Sequence, residues 1–133
     1  MKRFAPYLLI MVAACTFTTN FPLTPDFRVG IDTVASYLDN LSPAQHFNFD
    51  GVKKTVNGTA TRTLEITVTN GKNVPTEDRA LSALAKTMAV YVKSQLKDST
   101  EYDIYDVRFD SQKKSDGVTS NSFNTIEFKT SEL

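Results

Sequence analysis

The segment Thr76–Lys97, TEDRALSALAKTMAVYVKSQLK, constrains this chain more than any other. Leu81, Leu84, Ala85, Met88, Tyr91, Val92 and Leu96 recur at three- and four-residue steps, which sets them on one stripe of an α-helix, while Arg79, Lys86, Lys93 and Lys97 mostly fall elsewhere. A helix with one apolar stripe must bury it against something, so the rest of the chain has to supply that surface. The ends agree with the middle. Thr76 is the expected N-cap, Glu77 and Asp78 sit at the positive end of the helix dipole, and Lys93 and Lys97 sit at the negative end.

The partner surface is legible as strands. From Gln45 the apolar period changes to two through His46-Phe47-Asn48-Phe49-Asp50 and continues to Val56, where Asn57-Gly58 supplies a hairpin turn. The return strand, Thr59–Thr69, sets Ala60, Leu64, Ile66 and Val68 on one face, with Arg62 as the exception. Thr61, Thr63, Glu65, Thr67 and Thr69 lie on the other, which is the pattern of a sheet dry on one side and wet on the other. Tyr102–Asp110 reads as a strand with Tyr105, Val107 and Phe109 inward, Ser111–Gly117 as a polar turn, and Val118–Lys129 as a last strand with Ile126 and Phe128 inward. Before the hairpin, Ile31, Val34, Leu38 and Leu41 mark a short helix stopped at Asn40 and Ser42-Pro43. The element order is therefore α-β-β-α-β-β. It predicts an α+β fold, a two-layer sandwich of a four-stranded, mostly antiparallel sheet with both helices on one face.

Charge and composition narrow the function. Lys plus Arg and Asp plus Glu both number 15, so no field of one sign exists to attract nucleic acid, and none is expected as a partner. One cysteine and one histidine exclude internal disulfides and Cys/His metal clusters. The GxSxG, GxxxxGK[ST] and GxGxxG motifs are absent. No cofactor, metal or catalytic residue is expected.

The N-terminus, MKRFAPYLLIMVAAC, opens on Lys2 and Arg3, runs apolar from Phe4 to Val12, and closes on small residues before Cys15. That is the layout of a secretory signal, and its apolar run is far shorter than the ~20 residues of a membrane-spanning helix. Val12-Ala13-Ala14-Cys15 resembles the lipobox of bacterial lipoproteins. The resemblance implies diacylglyceryl attachment to the Cys15 sulfur and cleavage before it, so that residues 1–14 are a signal peptide and the membrane is a partner through the lipid on Cys15. Without Lys2 and Arg3 the chain carries 13 basic and 15 acidic groups, a net charge of −2. Position 16 is threonine, not the aspartate that retains lipoproteins in the inner membrane of enteric bacteria. For a Gram-negative source this directs the expectation to the outer membrane, facing the periplasm or the cell surface. Residues 15–28, with Pro22, Pro25 and no periodicity, read as a tether; Phe17, Phe21 and Phe27 are expected to touch either the membrane surface or the domain. Residues 29–133 form the single domain. Between about residues 45 and 130 it resembles small lipoproteins of Bacteroidota-type bacteria, on the threonine-rich strand, the helix LSALAKTMAVYVKSQLK, Glu101-Tyr102-Asp103 and Val107-Arg108-Phe109. That resemblance carries a compartment and no activity.

The expected binding surface is the wet face of the sheet, Thr61, Thr63, Glu65, Thr67 and Phe123, joined by Thr69, Tyr102, Arg108 and Lys129. A non-catalytic binding or assembly subunit with an envelope protein as partner fits it, through that face or an edge strand. The alternatives are a small-ligand module with a pocket between the first helix and the sheet, and a hydrolytic enzyme built around His46. The acidic run Asp98, Glu101, Asp103, Asp106 and Asp110 lacks the calcium-loop pattern, because it has no central glycine or terminal glutamate.

Overall fold

A computed structural model describes residues 17–133; residues 1–16, with the expected signal peptide and Cys15, lie outside the described residues. Two helices, α1 (Ile31–Leu41) and α2 (Asp78–Gln95), accompany five strands: β1 (Thr18–Leu23), β2 (Ala44–Val56), β3 (Thr59–Gly71), β4 (Ile104–Ser115) and β5 (Val118–Lys129). The class is α+β, but the sheet has five strands where the sequence suggests four. It is mixed, in the spatial order β1-β2-β3-β4-β5. All neighbours are antiparallel except β3 and β4, which α2 joins by a crossover and which run parallel from Thr63 beside Ile104 to Thr69 beside Asp110.

The two hairpins close as their residues dictate. Asn57 and Gly58 take φ of 49° and 82°, and Asp116 and Gly117 take 50° and 77°, so each pair fills both positive-φ positions of a two-residue turn that matches strand twist. The second turn is thus Asp116-Gly117 alone. Ser111–Ser115, read as part of the turn from its polarity, is strand, because cross-strand pairing to Val118–Ser122 satisfies its backbone whatever its side chains.

The fifth strand is the main correction. β1 falls inside the stretch expected to be a tether, and it pairs antiparallel with β2 from Thr18 beside Val56 to Leu23 beside Gly51. Its sequence hides it because an edge strand buries little and so need not alternate. Pro22 is tolerated there. The Asn57 N–H donates to the Phe17 carbonyl at 3.1 Å, so in an antiparallel ladder the odd-numbered residues face β2 and Pro22 turns its nitrogen to the open edge. The three phenylalanines of this stretch divide. Phe27 packs edge-on against Phe49, with ring centroids 5.5 Å apart, while Phe17 and Phe21 stay 76% and 66% exposed.

One core lies between the sheet and both helices. Phe49, Ile66, Val107 and Ile126 form one apolar row across β2 to β5, and Gly51, Leu64, Tyr105 and Phe128 the next. Leu81, Ala85, Met88 and Val92 of α2 press onto them as its stripe predicts, joined by Ala89, which the stripe does not include, while Leu84 and Tyr91 are only partly buried. At about 25 cal/mol per Å² of apolar surface removed from water, this contact is the principal favourable term of the fold. α1 contributes only Val34 and Leu38. Ile31 and Leu41, expected inward, remain 53% and 38% exposed because so short a helix meets the core along its middle turns alone. The cap of α2 also differs. Glu77 is the N-cap, no side chain bonds the free amides, and Thr76 stands one residue too early to do so.

Tyr102, expected on the wet face, is fully buried, because it precedes β4 and turns under the sheet toward β2. Burial pushes its hydroxyl, like that of Tyr105, up to about 12, so both stay protonated at neutral pH. A Cβ on Gly51 would lie 2.6 Å from the Tyr102 hydroxyl oxygen and 2.6 Å from the Leu23 carbonyl oxygen, so only glycine admits β1 and Tyr102 together. Gly51→Ala is expected to cost about 1–3 kcal/mol, the usual range for overpacking. Urea unfolding checks it, and wild-type stability in the variant would refute the close approach.

Candidate functional site

The face of the sheet turned away from the helices is covered by no segment of the described chain, and the register of the strands decides what it displays. Residues of β2 and β3 with side chains on this face alternate with the core rows, so Thr61, Thr63, Glu65, Thr67 and Thr69 line up as the sequence predicts. Phe123 joins them, since it stands beside Asp110, which stands beside Thr69, which stands beside His46. The expected residues therefore share one surface. Of those named with them, Arg108 and Lys129 lie on it and Tyr102 does not.

Pairing adds a feature that no single strand carries. Asp50 stands beside Glu65, Glu65 beside Asp106, and Asp106 beside Glu127, so four carboxylates form a row straight across β2, β3, β4 and β5. Neighbouring strands are about 4.8 Å apart, and like charges directly opposite one another destabilise a sheet. The flanking rows are Val52, Thr63, Ile104 and Lys129 on one side and Asn48, Thr67, Arg108 and Thr125 on the other. With Asp110, the four rows from Thr63 to Thr69 hold five carboxylates against the cations Arg108 and Lys129. The face is anionic in a chain whose total charge is zero.

Arg108 is already engaged. Its Nε meets Asp110 Oδ1 at 2.6 Å, and its guanidinium lies 4.2 Å from the ring centre of Phe123. That stacking accounts for an aromatic ring left 62% exposed on a wet face. Thr67 donates weakly to Glu65 at 3.4 Å. Asp106 is the most constrained of the four carboxylates: its Oδ1 is buried with no hydrogen-bond partner among the described residues. Burial, with Glu127 and Glu65 on either side adding repulsion, pushes its carboxyl up to about 6.

The remaining candidates are dispersed. His46 is exposed and meets the Asn48 side-chain oxygen at 3.1 Å. Asp98 accepts from the amide and hydroxyl of Thr100, which hold it below the usual carboxylate range. Asp103 accepts the backbone N–H of Arg62 at 3.0 Å. These two brace the turn before β4 while Asp106 and Asp110 face outward, so the acidic run divides between two tasks. Among the described residues no group of three or more His, Cys, Asp or Glu side chains is arranged to hold a metal ion, and no helix is long and apolar enough to cross a membrane. An open groove of about 520 Å³ separates α1 from the start of β2, lined in part by Asp32, Ser36, Asp39 and His46. The space under α1 is filled, with Val34 and Leu38 fully buried.

Compared with known protein families, with characterised proteins and with solved structures, the chain finds no match.

The carboxylate row makes a signed prediction. Because the folded state holds Asp106 near 6, above its usual value of 3.8, it binds that proton more tightly than the unfolded chain does. The contribution of Asp106 to stability therefore falls as pH rises from about 4 to about 6 and stays reduced above. Asp106→Asn removes the penalty: at pH 7 the variant should gain about 1 kcal/mol, allowing for screening of a partly exposed group, and at pH 4 the gain should disappear. Urea unfolding at the two pH values measures it, and a gain independent of pH would show that the charge of Asp106 is not what costs the fold stability.

Proposed function

We propose that this chain is a lipid-anchored protein of the bacterial cell envelope that works by binding, offering the carboxylate face of its sheet to a cationic partner in the envelope. The row of Asp50, Glu65, Asp106 and Glu127 carries the reading. A row of like charges costs the isolated domain stability, and an opposing set of Lys or Arg side chains would relieve that cost on contact. The threonines beside it present hydroxyls and methyls on a flat surface suited to another protein. The lipobox residues and the placing of the single cysteine at Cys15 support the anchor, which two or more acyl chains make stable where one is marginal.

Two measurements test the two halves. Radiolabelled palmitate should enter the wild-type chain and not Cys15→Ala; equal labelling ends the lipid reading. A photoreactive side chain at Thr67 should capture an envelope protein that the same group at Arg79, on the helix layer, does not. Glu65→Lys with Glu127→Lys should weaken that association about tenfold or more, about 1.4 kcal/mol, without lowering the melting temperature. Capture from both positions alike would refute the face.

The groove between α1 and β2 favours a second reading, a small-ligand module. A ligand held there would shift the NMR resonances of His46 and Asp39 and leave Glu65 and Glu127 unmoved.

A further inference from the structure

β1 begins too close to Cys15 to leave any tether between them. One residue, Thr16, separates Cys15 from Phe17, so their Cα atoms are two chain steps apart, a reach of at most about 7 Å, which is no more than the thickness of one headgroup layer. Phe17 is already tied to the domain: its carbonyl accepts from Asn57 N–H at 3.1 Å and its own N–H donates to Asn57 Oδ1 at 3.3 Å. If acyl chains on Cys15 enter a bilayer, the hairpin end of the β1-β2-β3 sheet must therefore stand in the headgroups. That end carries the matching chemistry. Phe17 and Phe21 are 76% and 66% exposed, and alternation along β1 gives their side chains one face. In the register across the strands Phe21 stands beside Lys53 and Lys53 beside Arg62, while Lys54 stands beside Asn20 on the opposite face. Neither Lys53 nor Lys54 has an ion-pair partner among the described residues; the ion pairs there are Lys97 with Asp26 and Arg108 with Asp110. Arg62 lies near Asp98, so along β1 the cations without an ion pair among the described residues are Lys53 and Lys54, which stand beside Phe21 and Asn20.

We infer that Phe17 and Phe21, flanked by Lys53 and Lys54, form a second membrane contact that seats the domain directly on an anionic phospholipid surface and fixes its orientation. Aromatic rings favour the headgroup level, and lysines near an anionic leaflet add attraction that salt screens. The inference rests on the lipid-anchored reading and adds to it a rigid pose in place of a loose tether.

The chain contains no tryptophan, so one introduced ring reports alone. The acylated full-length protein is reconstituted in vesicles of phosphatidylglycerol and phosphatidylethanolamine with brominated acyl chains, as Phe17→Trp, Phe21→Trp and, at the opposite hairpin turn, Val118→Trp. Bromine should quench most of the emission of the first two and none of the third. Lys53→Glu with Lys54→Glu, in the Phe21→Trp background, should restore part of that emission. Protein that floats with the vesicles while all three variants stay bright overturns this contact and leaves the anchor standing. Protein that carries no lipid and does not float overturns both. Equal quenching at all three positions refutes the orientation, and a blue shift at Phe17→Trp that follows protein concentration in place of lipid assigns the face to a second copy of the chain.

Discussion

The apolar stripe of α2 is the contact on which the rest of this fold depends. It joins β3 to β4 by a crossover, the connection that parallel neighbours require, and the two strands do pair in parallel. Two hairpins that could each form locally are thereby set edge to edge in one plane, with Leu81, Ala85, Met88, Ala89 and Val92 packed against the seam. Without α2 each hairpin would expose its apolar row, and a lone two-stranded hairpin is marginal in water. The helix needs no ideal cap to do this. Burial along its whole length outweighs the roughly 1 kcal/mol that a side-chain cap would have added.

The same seam creates the anionic face. Asp50 and Glu65 belong to one hairpin, Asp106 and Glu127 to the other, and each hairpin alone places only two carboxylates opposite one another. The parallel pairing of Glu65 with Asp106 completes the row. Its effect falls on Asp106, which has an acidic neighbour on both sides and a carboxylate oxygen shut away from water. A chain selected for stability alone would have interrupted this row with a lysine, as it does one row away at Lys129. Residues that oppose the stability of a fold while leaving its core intact are where binding is expected.

How much of this was legible in the sequence follows from which signals are local. The stripe of α2, the alternation of Thr59–Thr69 and the positive-φ pair Asn57-Gly58 are written within a few residues of themselves, and the structure bears them out except at Ala60, which lies beyond the core and is exposed. The wet-face threonines and Phe123 follow from the same alternation. β1 escaped because an edge strand with Pro22 and exposed side chains has no period, and only its partner β2 makes it a strand. Tyr102 escaped because the strand starts two residues later than its aromatic content suggests. The carboxylate row escaped for a third reason: it is a relation among four strands, fixed by registers that no single segment encodes.

The two tight turns sit at opposite ends of the sheet. β3 leaves the Asn57-Gly58 turn, β4 runs beside it in the same direction, and β4 continues past the end of their pairing to Asp116-Gly117. Counted along that path at about 3.3 Å per residue, the distance from one tip to the other is about 50 Å before twist shortens it. The molecule is a strut. Whatever one tip rests on, the other stands clear of it by more than the thickness of the hydrocarbon layer of a bilayer, held at that height by backbone pairing and not by a flexible stalk.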